Sequence, residues 1–224
     1  MNLALTRSLT WSRGGAESAD VRSHFITGER VSKVLIVTLF SAMAMRIARD
    51  VVITHHTTGL LLLVSEALVV VFTMIRRPAG IVDRSMNARI LTMFSTFAPQ
   101  LVRPASMHPL TPESFTLMLS GMGLILVVMG KLSLGRSFGL TPANRGVVST
   151  GVYRFVRHPI YMGYLLTHVG FAIANPVGWN FFILMAADAT LLLRAIREEQ
   201  TLALDPAYFS YMQRVRWRVA PGLF

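Results

Sequence analysis

Apolar runs long enough to cross a lipid bilayer constrain this chain more than any other feature. A spanning helix needs about 20 mainly apolar residues. Six stretches approach that length: Val31 to Ala48, Thr57 to Ile75, Met86 to Val102, Glu113 to Leu134, Pro159 to Ala174 and Pro176 to Ile196. Only Asn175-Pro176 lies near the junction of the last two, which predicts antiparallel neighbours in a tight helical hairpin. At about 1.5 Å per residue, the first arm is shorter than a ~30 Å hydrocarbon core. Further on, Asp205 before Pro206 reads as a capped helix start. The aromatic and arginine residues that follow suit an interfacial helix. The sequence therefore predicts an all-α integral membrane protein with about six transmembrane helices, the last two a hairpin, and a C-terminal interfacial helix.

Composition excludes the ordinary soluble alternative. The chain is 53% hydrophobic and only 15% charged, against roughly 25% charged in soluble domains. Its 22 Lys+Arg against 11 Asp+Glu give a formal charge of +11, an excess that suits nucleic acid or an anionic membrane surface. Cytoplasmic loops collect Lys and Arg. With six spans and a cytoplasmic N-terminus, the cytoplasmic segments hold every basic residue except Arg46, Arg49 and Arg103. The fourth loop contributes Lys131, Arg136, Arg145, Arg154 and Arg157 to that side. The excess then reads as an orientation signal, with both termini cytoplasmic, lipid head groups as counter-charge and no nucleic-acid partner. Residues 1–30 are polar and lack the apolar run of a signal peptide, so they read as a cytoplasmic tail. Residues 31–112 read as N-terminal transmembrane helices and 113–224 as the functional core. Cysteine is absent, which removes disulfides and thiolate chemistry.

The chemistry concentrates around the loop from Gly135 to His158. It is too polar for lipid and carries four glycines. Tyr153, Arg157, His158, Tyr161 and Tyr164 cluster where a helix N-terminus meets cytosol, a setting that favours anionic ligand groups. Pro159 alone is helix punctuation. Tyr161, Tyr164 and His168 share a helix face, where His168 reads as a helix–helix hydrogen-bond partner. Arg194 and Glu198 are one turn apart. They form either an exposed ion pair or, returned by the hairpin beside His158, the rim of a polar site open to lipid; we take the second reading. Glu66 and Asp188 lie deep within spans, where an ion is costly; function and protonated hydrogen bonding between helices both remain open for them. Dispersed histidines predict no metal site, and the common hydrolase, P-loop and dinucleotide motifs are missing.

The run Ser149-Thr-Gly-Val-Tyr-Arg-Phe-Val-Arg-His-Pro-Ile-Tyr-Met-Gly163, followed by a hairpin and then Glu198-Glu199, resembles the isoprenylcysteine carboxyl methyltransferase family. Phospholipid N-methyltransferases are similar. The resemblance covers roughly Gly135 to Pro221. It implies S-adenosylmethionine as cofactor, held in a cytosol-facing pocket closed by the C-terminal segment, and a lipophilic acceptor arriving from the bilayer. It implies cofactor contacts at Arg145, Gly146, Val147 and Val148, at Tyr153, at His158, Pro159, Ile160 and Tyr161, and at Glu198. The family's acceptor-binding arginine falls on Arg194. The sequence departs from the eukaryotic members at Arg145, where they carry histidine, and at Asp205-Pro206, which replaces a phenylalanine-glycine pair.

A carboxylate acceptor is already ionised at neutral pH and needs no general base, which favours O-methylation of an isoprenylcysteine-like carboxylate. The alternatives are N-methylation of a phospholipid amine, a sterol-reductase-like enzyme using NADPH, and a non-catalytic lipid-binding membrane protein.

Overall fold

The computed structural model describes residues 30–49, 51–53, 57–103 and 110–222; the expected tail, 1–30, lies almost wholly outside them. Seven helices account for most of the described chain. They are α1 (Arg30–Ile53), α2 (Thr57–Ile75), α3 (Met86–Phe97), α4 (Glu113–Leu134), α5 (Pro159–Ala174), α6 (Gly178–Leu202) and α7 (Pro206–Arg214). Three stretches, Arg30–Ile53, Glu113–Ser137 and Gly178–Leu202, are long and apolar enough to cross a membrane. Their outer faces carry exposed apolar side chains such as Leu35, Met118, Met122, Phe182 and Met185. In water such a surface would be strongly unfavourable; in lipid it is ordinary. The molecule is an integral membrane protein.

The third expected span is divided. Its α-helix ends at Phe97, and Ala98–Leu101 tightens into a 3-10 turn with Pro99 in its first positions. Proline lacks the N–H that an α-helix would need there. At about 1.5 Å per residue, α3 alone rises roughly 18 Å, well short of the bilayer core. The whole stretch nevertheless runs beside α6. Arg194 near one end reaches Ser95, and Asn180 near the other holds Arg103 through Arg103 N–Asn180 Oδ1 (2.9 Å) and Asn180 Nδ2–Arg103 O (2.8 Å).

α5 ends at Ala174 and α6 starts at Gly178, but the two helices do not pack mainly on each other. The long face of α5 lies against α4, because glycines on both helices let the backbones close in. A Cβ on Gly163 would stand 2.5 Å from Gly123 O, and one on Gly123 would stand 2.6 Å from Gly163 O. Small residues at such crossings are a common membrane solution, since lipid gives no hydrophobic drive for helices to associate. The space left between α5 and α6 is part of the cavity described below. The main core joins α1, α2, α4, α5 and α6 through Phe40, Val69, Val127, Ile160, Leu191 and Ala195.

Two further departures concern the loops. The fold is not purely helical: β1 (Ile81–Val82) pairs antiparallel with β2 (Ala143–Asn144), with Ile81 opposite Asn144. Gly80 N–Asn144 O and Asp83 N–Pro142 O extend this staple, which fixes the α2–α3 connection to the loop after α4. Lys131 does not belong to that loop. It lies inside α4, fully buried, and donates to Ser65 O (2.9 Å) and Ser65 Oγ (2.7 Å). Its charge is a packing element between α4 and α2, so it carries no weight as an orientation signal.

Candidate active site

A cavity of about 510 Å³ opens among the loop after α4, α5, α6 and α7 and continues down toward α1 and α2. Nearly every residue singled out in the sequence lines it: Arg145, Gly146, Val147, Val148, Tyr153, His158, Ile160, Tyr161, Arg194 and Glu198. Pro159 does not. It is buried at the first position of α5, where its fixed φ starts the helix. Gly146 has φ +102, a conformation that side-chain-bearing residues rarely adopt, and so turns the chain at the cavity edge.

Tyr161 organises the upper wall. Its hydroxyl donates to Glu198 Oε2 at 2.5 Å, joining α5 to α6. Its ring stacks on His158 at 5.0 Å, and the Arg194 guanidinium lies 5.4 Å from the same ring. Arg194 is buried and does not form the helix-surface pair with Glu198. Its Nη2 donates to Leu140 O and its Nη1 to Ser95 Oγ (3.4 Å), while its Nε–H has no acceptor among the described residues. A buried guanidinium with an unspent donor at a cavity wall is a natural carboxylate partner.

Glu199 carries a role that sequence reasoning missed. It is buried and accepts from Arg157 Nε (2.6 Å), Arg157 Nη2 (3.1 Å), Arg218 Nε (2.8 Å) and His158 Nε2 (3.2 Å). Arg157 also donates to Val215 O and Arg216 O. The backbone N–H groups of Arg157 and His158 reach Trp217 O (2.9 Å) and Arg218 O (2.7 Å). The C-terminal segment thus occupies donors at the start of α5 that sequence reasoning assigned to an anionic ligand. Arg157, read from sequence as a charge at the cytosolic rim, is instead the clamp that binds this segment to α6. The adjacent pair of glutamates was the available signal: two carboxylates on neighbouring residues point about 100° apart on a helix and meet different partners.

The segment so clamped carries α7, which covers the cavity. Asp205 caps it by accepting from Ala207 N (2.8 Å) and also accepts from Asn144 Nδ2 (2.6 Å), so the loop and α7 move together. These hydrogen bonds, the backbone one first, hold the Asp205 carboxyl below its usual range. Tyr208 and Tyr211 turn inward onto the cavity, and Tyr211 Oη donates to Tyr153 O at 2.7 Å. Burial raises the phenols of Tyr153, Tyr208 and Tyr211 above their ordinary range, so all three stay neutral at physiological pH. Phe209 and Trp217 face outward on the same segment, in keeping with a helix at a membrane interface.

Glu66, Tyr164 and His168 line the deeper part of the cavity. His168 Nδ1 lies 2.5 Å from Asp188 Oδ1, bringing together two residues that the sequence had treated separately.

This arrangement is a membrane helix bundle with a covered cavity, polar above and mainly apolar below. Comparison with known proteins finds a likeness within it. Residues 113–204 match the family model described as phospholipid methyltransferase. Protein-S-isoprenylcysteine O-methyltransferase A of Arabidopsis thaliana is 36% identical over a stretch covering 28% of this chain and 43% of that protein. The similarity therefore spans less than half of that relative's length. Residues 113–204, less than half of the chain, are thus similar to membrane methyltransferases.

Proposed function

We propose that this protein is an S-adenosylmethionine-dependent methyltransferase that esterifies the carboxylate of a lipophilic, isoprenylcysteine-like acceptor. The observation that carries the reading is Arg194: a buried guanidinium on the cavity wall, stacked on Tyr161, with its Nε–H unspent. A cavity of about 510 Å³ lies within the range of roughly 300–1,000 Å³ typical of small-molecule sites. Its donor set suits a cationic cofactor, with the Glu198 carboxylate and the faces of Tyr153, Tyr161 and Tyr208 around one space.

Residues 145–148, Tyr153, His158, Ile160, Tyr161 and Glu198 would hold S-adenosylmethionine, which supplies a methyl group on a sulfonium when bound. Arg194 would grip the acceptor carboxylate and align one oxygen toward that methyl. The carboxylate needs no base. Tyr208 and Tyr211 on α7 keep water out. The acceptor tail would lie among Leu124, Phe171, Leu184 and Leu191 and reach the cavity from the bilayer. The basic loops and both termini would then be cytosolic, with the cofactor drawn from that side.

The matched family description also suggests a phospholipid amine as acceptor. That chemistry needs a base to deprotonate the amine, and the carboxylate at the Arg194 end, Glu198, already accepts from Tyr161. Membranes containing the protein, incubated with methyl-labelled S-adenosylmethionine, separate the two. An ester releases labelled methanol in mild base, and an N-methyl lipid keeps its label. We expect base-labile label, with Arg194→Ala raising the acceptor KM at least about tenfold while cofactor affinity changes little. Base-stable label would establish the amine reading. No label, with no binding of S-adenosylmethionine to the folded protein, would overturn both.

A further inference from the structure

The deep part of the cavity holds ionisable groups for which methyl transfer has no use. His168 lines the wall there, fixed by Asp188 through the 2.5 Å contact at Nδ1. A carboxylate at Nδ1 places the ring proton there and leaves Nε2 as an acceptor. An interhelical hydrogen bond of this kind could serve packing alone. Glu66 has no such account. It lines the same cavity from α2, is only 7% exposed, and its Oε2 has no hydrogen-bond partner among the described residues. A buried carboxyl without a donor costs free energy unless a ligand supplies one.

The cation whose charge acts on Glu66 is Lys131, which donates to Ser65 and lies 5.8 Å from the Tyr164 ring. Its charge makes the lobe unfavourable for a second cation, so the fitting donor is neutral. Along α6, the rise from Arg194 back to Asp188 is about 9 Å.

We infer that this lobe recognises a second polar group on the acceptor: a mid-chain hydroxyl, roughly 10 Å or more from the end that is methylated once side-chain reach is added to the helix rise. The acceptor is then an amphiphile polar at two places, rather than a hydrocarbon tail with one head group. This rests on the proposed function for which end of the acceptor lies at Arg194.

Oleic acid and ricinoleic acid, its analogue with a mid-chain hydroxyl, are suitable probes. Their affinities for the full chain in lipid nanodiscs can be measured by equilibrium binding, without turnover. Ricinoleic acid should bind about tenfold more tightly, the worth of a good buried hydrogen bond. In Glu66→Gln and His168→Leu the ratio should fall below about twofold. Asp188→Asn, which retains a polar link between α5 and α6, substitutes for His168→Leu if that variant does not fold. Equal affinities in the wild type, no binding of either acid, or a preference surviving in the variants would overturn the inference. Methyl transfer to neither acid, with the affinity ratio intact, would count against the carboxylate reading and leave the lobe standing.

Discussion

At the scale of single residues, the neighbours Glu198 and Glu199 have opposite tasks. Glu198 faces the cavity and holds one hydrogen bond, from Tyr161. Glu199 is the shared acceptor of Arg157, Arg218 and His158, with its side chain 3% exposed. Truncating one partner of a buried ion pair costs about 3–5 kcal/mol, because the remaining charges lose their partner. Glu199→Ala should therefore destabilise the protein by that order and release the C-terminal segment, measurable as a large drop in thermal midpoint and early tryptic cleavage at Arg214, Arg216 and Arg218. Glu198→Ala should lower the midpoint clearly less, by the one hydrogen bond that Tyr161 loses, and weaken S-adenosylmethionine binding about tenfold or more, the loss of a charge-assisted contact. Similar stability losses in both variants would contradict the division. The doubled glutamate was visible in the sequence, together with Arg157 and His158. Which glutamate serves the clamp depends on a helix phase and on a C-terminal strand of backbone that leaves no pattern in the sequence.

At the scale of elements, apolar length and helix punctuation carried most of the information. The ends of α2, α4 and α5 fall where the sequence placed them, since Pro159 and the polar loops mark boundaries that hydropathy alone makes sharp. α6 runs to Leu202, beyond the expected end at Ile196, because Glu198 and Glu199 find partners inside the protein and need not leave the helix. Lys131 misled for the same reason: a buried lysine with Ser65 as its acceptor looks, in sequence, like a loop charge. The β1–β2 staple is too short for any alternation to show. The partner of α5 was likewise hidden, because close approach depends on which glycines face each other. Gly163→Ala places a methyl 2.5 Å from Gly123 O, a backbone atom that cannot yield without moving α4. It should cost about 1–3 kcal/mol, as overpacked interiors do. Gly121→Ala, on the same α4 but with nothing within 4 Å of the new methyl, should be neutral or slightly stabilising. Thermal unfolding of the two variants in one detergent provides the comparison, and equal midpoints would remove close α4–α5 packing as a determinant of stability.

At the scale of the whole molecule, the cavity requires two chemical environments to meet. Its upper end is built from polar loops, the β staple and the clamped C-terminal segment, and its lower part from helices with apolar outer faces. A water-soluble cofactor and a lipophilic acceptor can meet only where such a boundary crosses one space, so the membrane orientation is part of the catalytic proposal. The structure gives that proposal a consistent geometry. Arg77 N reaches Arg136 O, Asn144 reaches Asp205, and Arg157 reaches Val215 and Arg216. These contacts put the basic segments after α2, after α4 and after α7 at one end of the bundle, while Gly178 and Arg103 mark the opposite end through Asn180. The absence of cysteine lets single introduced thiols report on sidedness without background. Arg84→Cys, Arg154→Cys and Ser210→Cys should all react with a membrane-impermeant maleimide only from the cytosolic face. Gly178→Cys should react only from the other face. Labelling of Gly178→Cys and Arg154→Cys from the same side would mean that α5 and α6 enter the bilayer without crossing it, and the cofactor and the acceptor would then have to share one entrance.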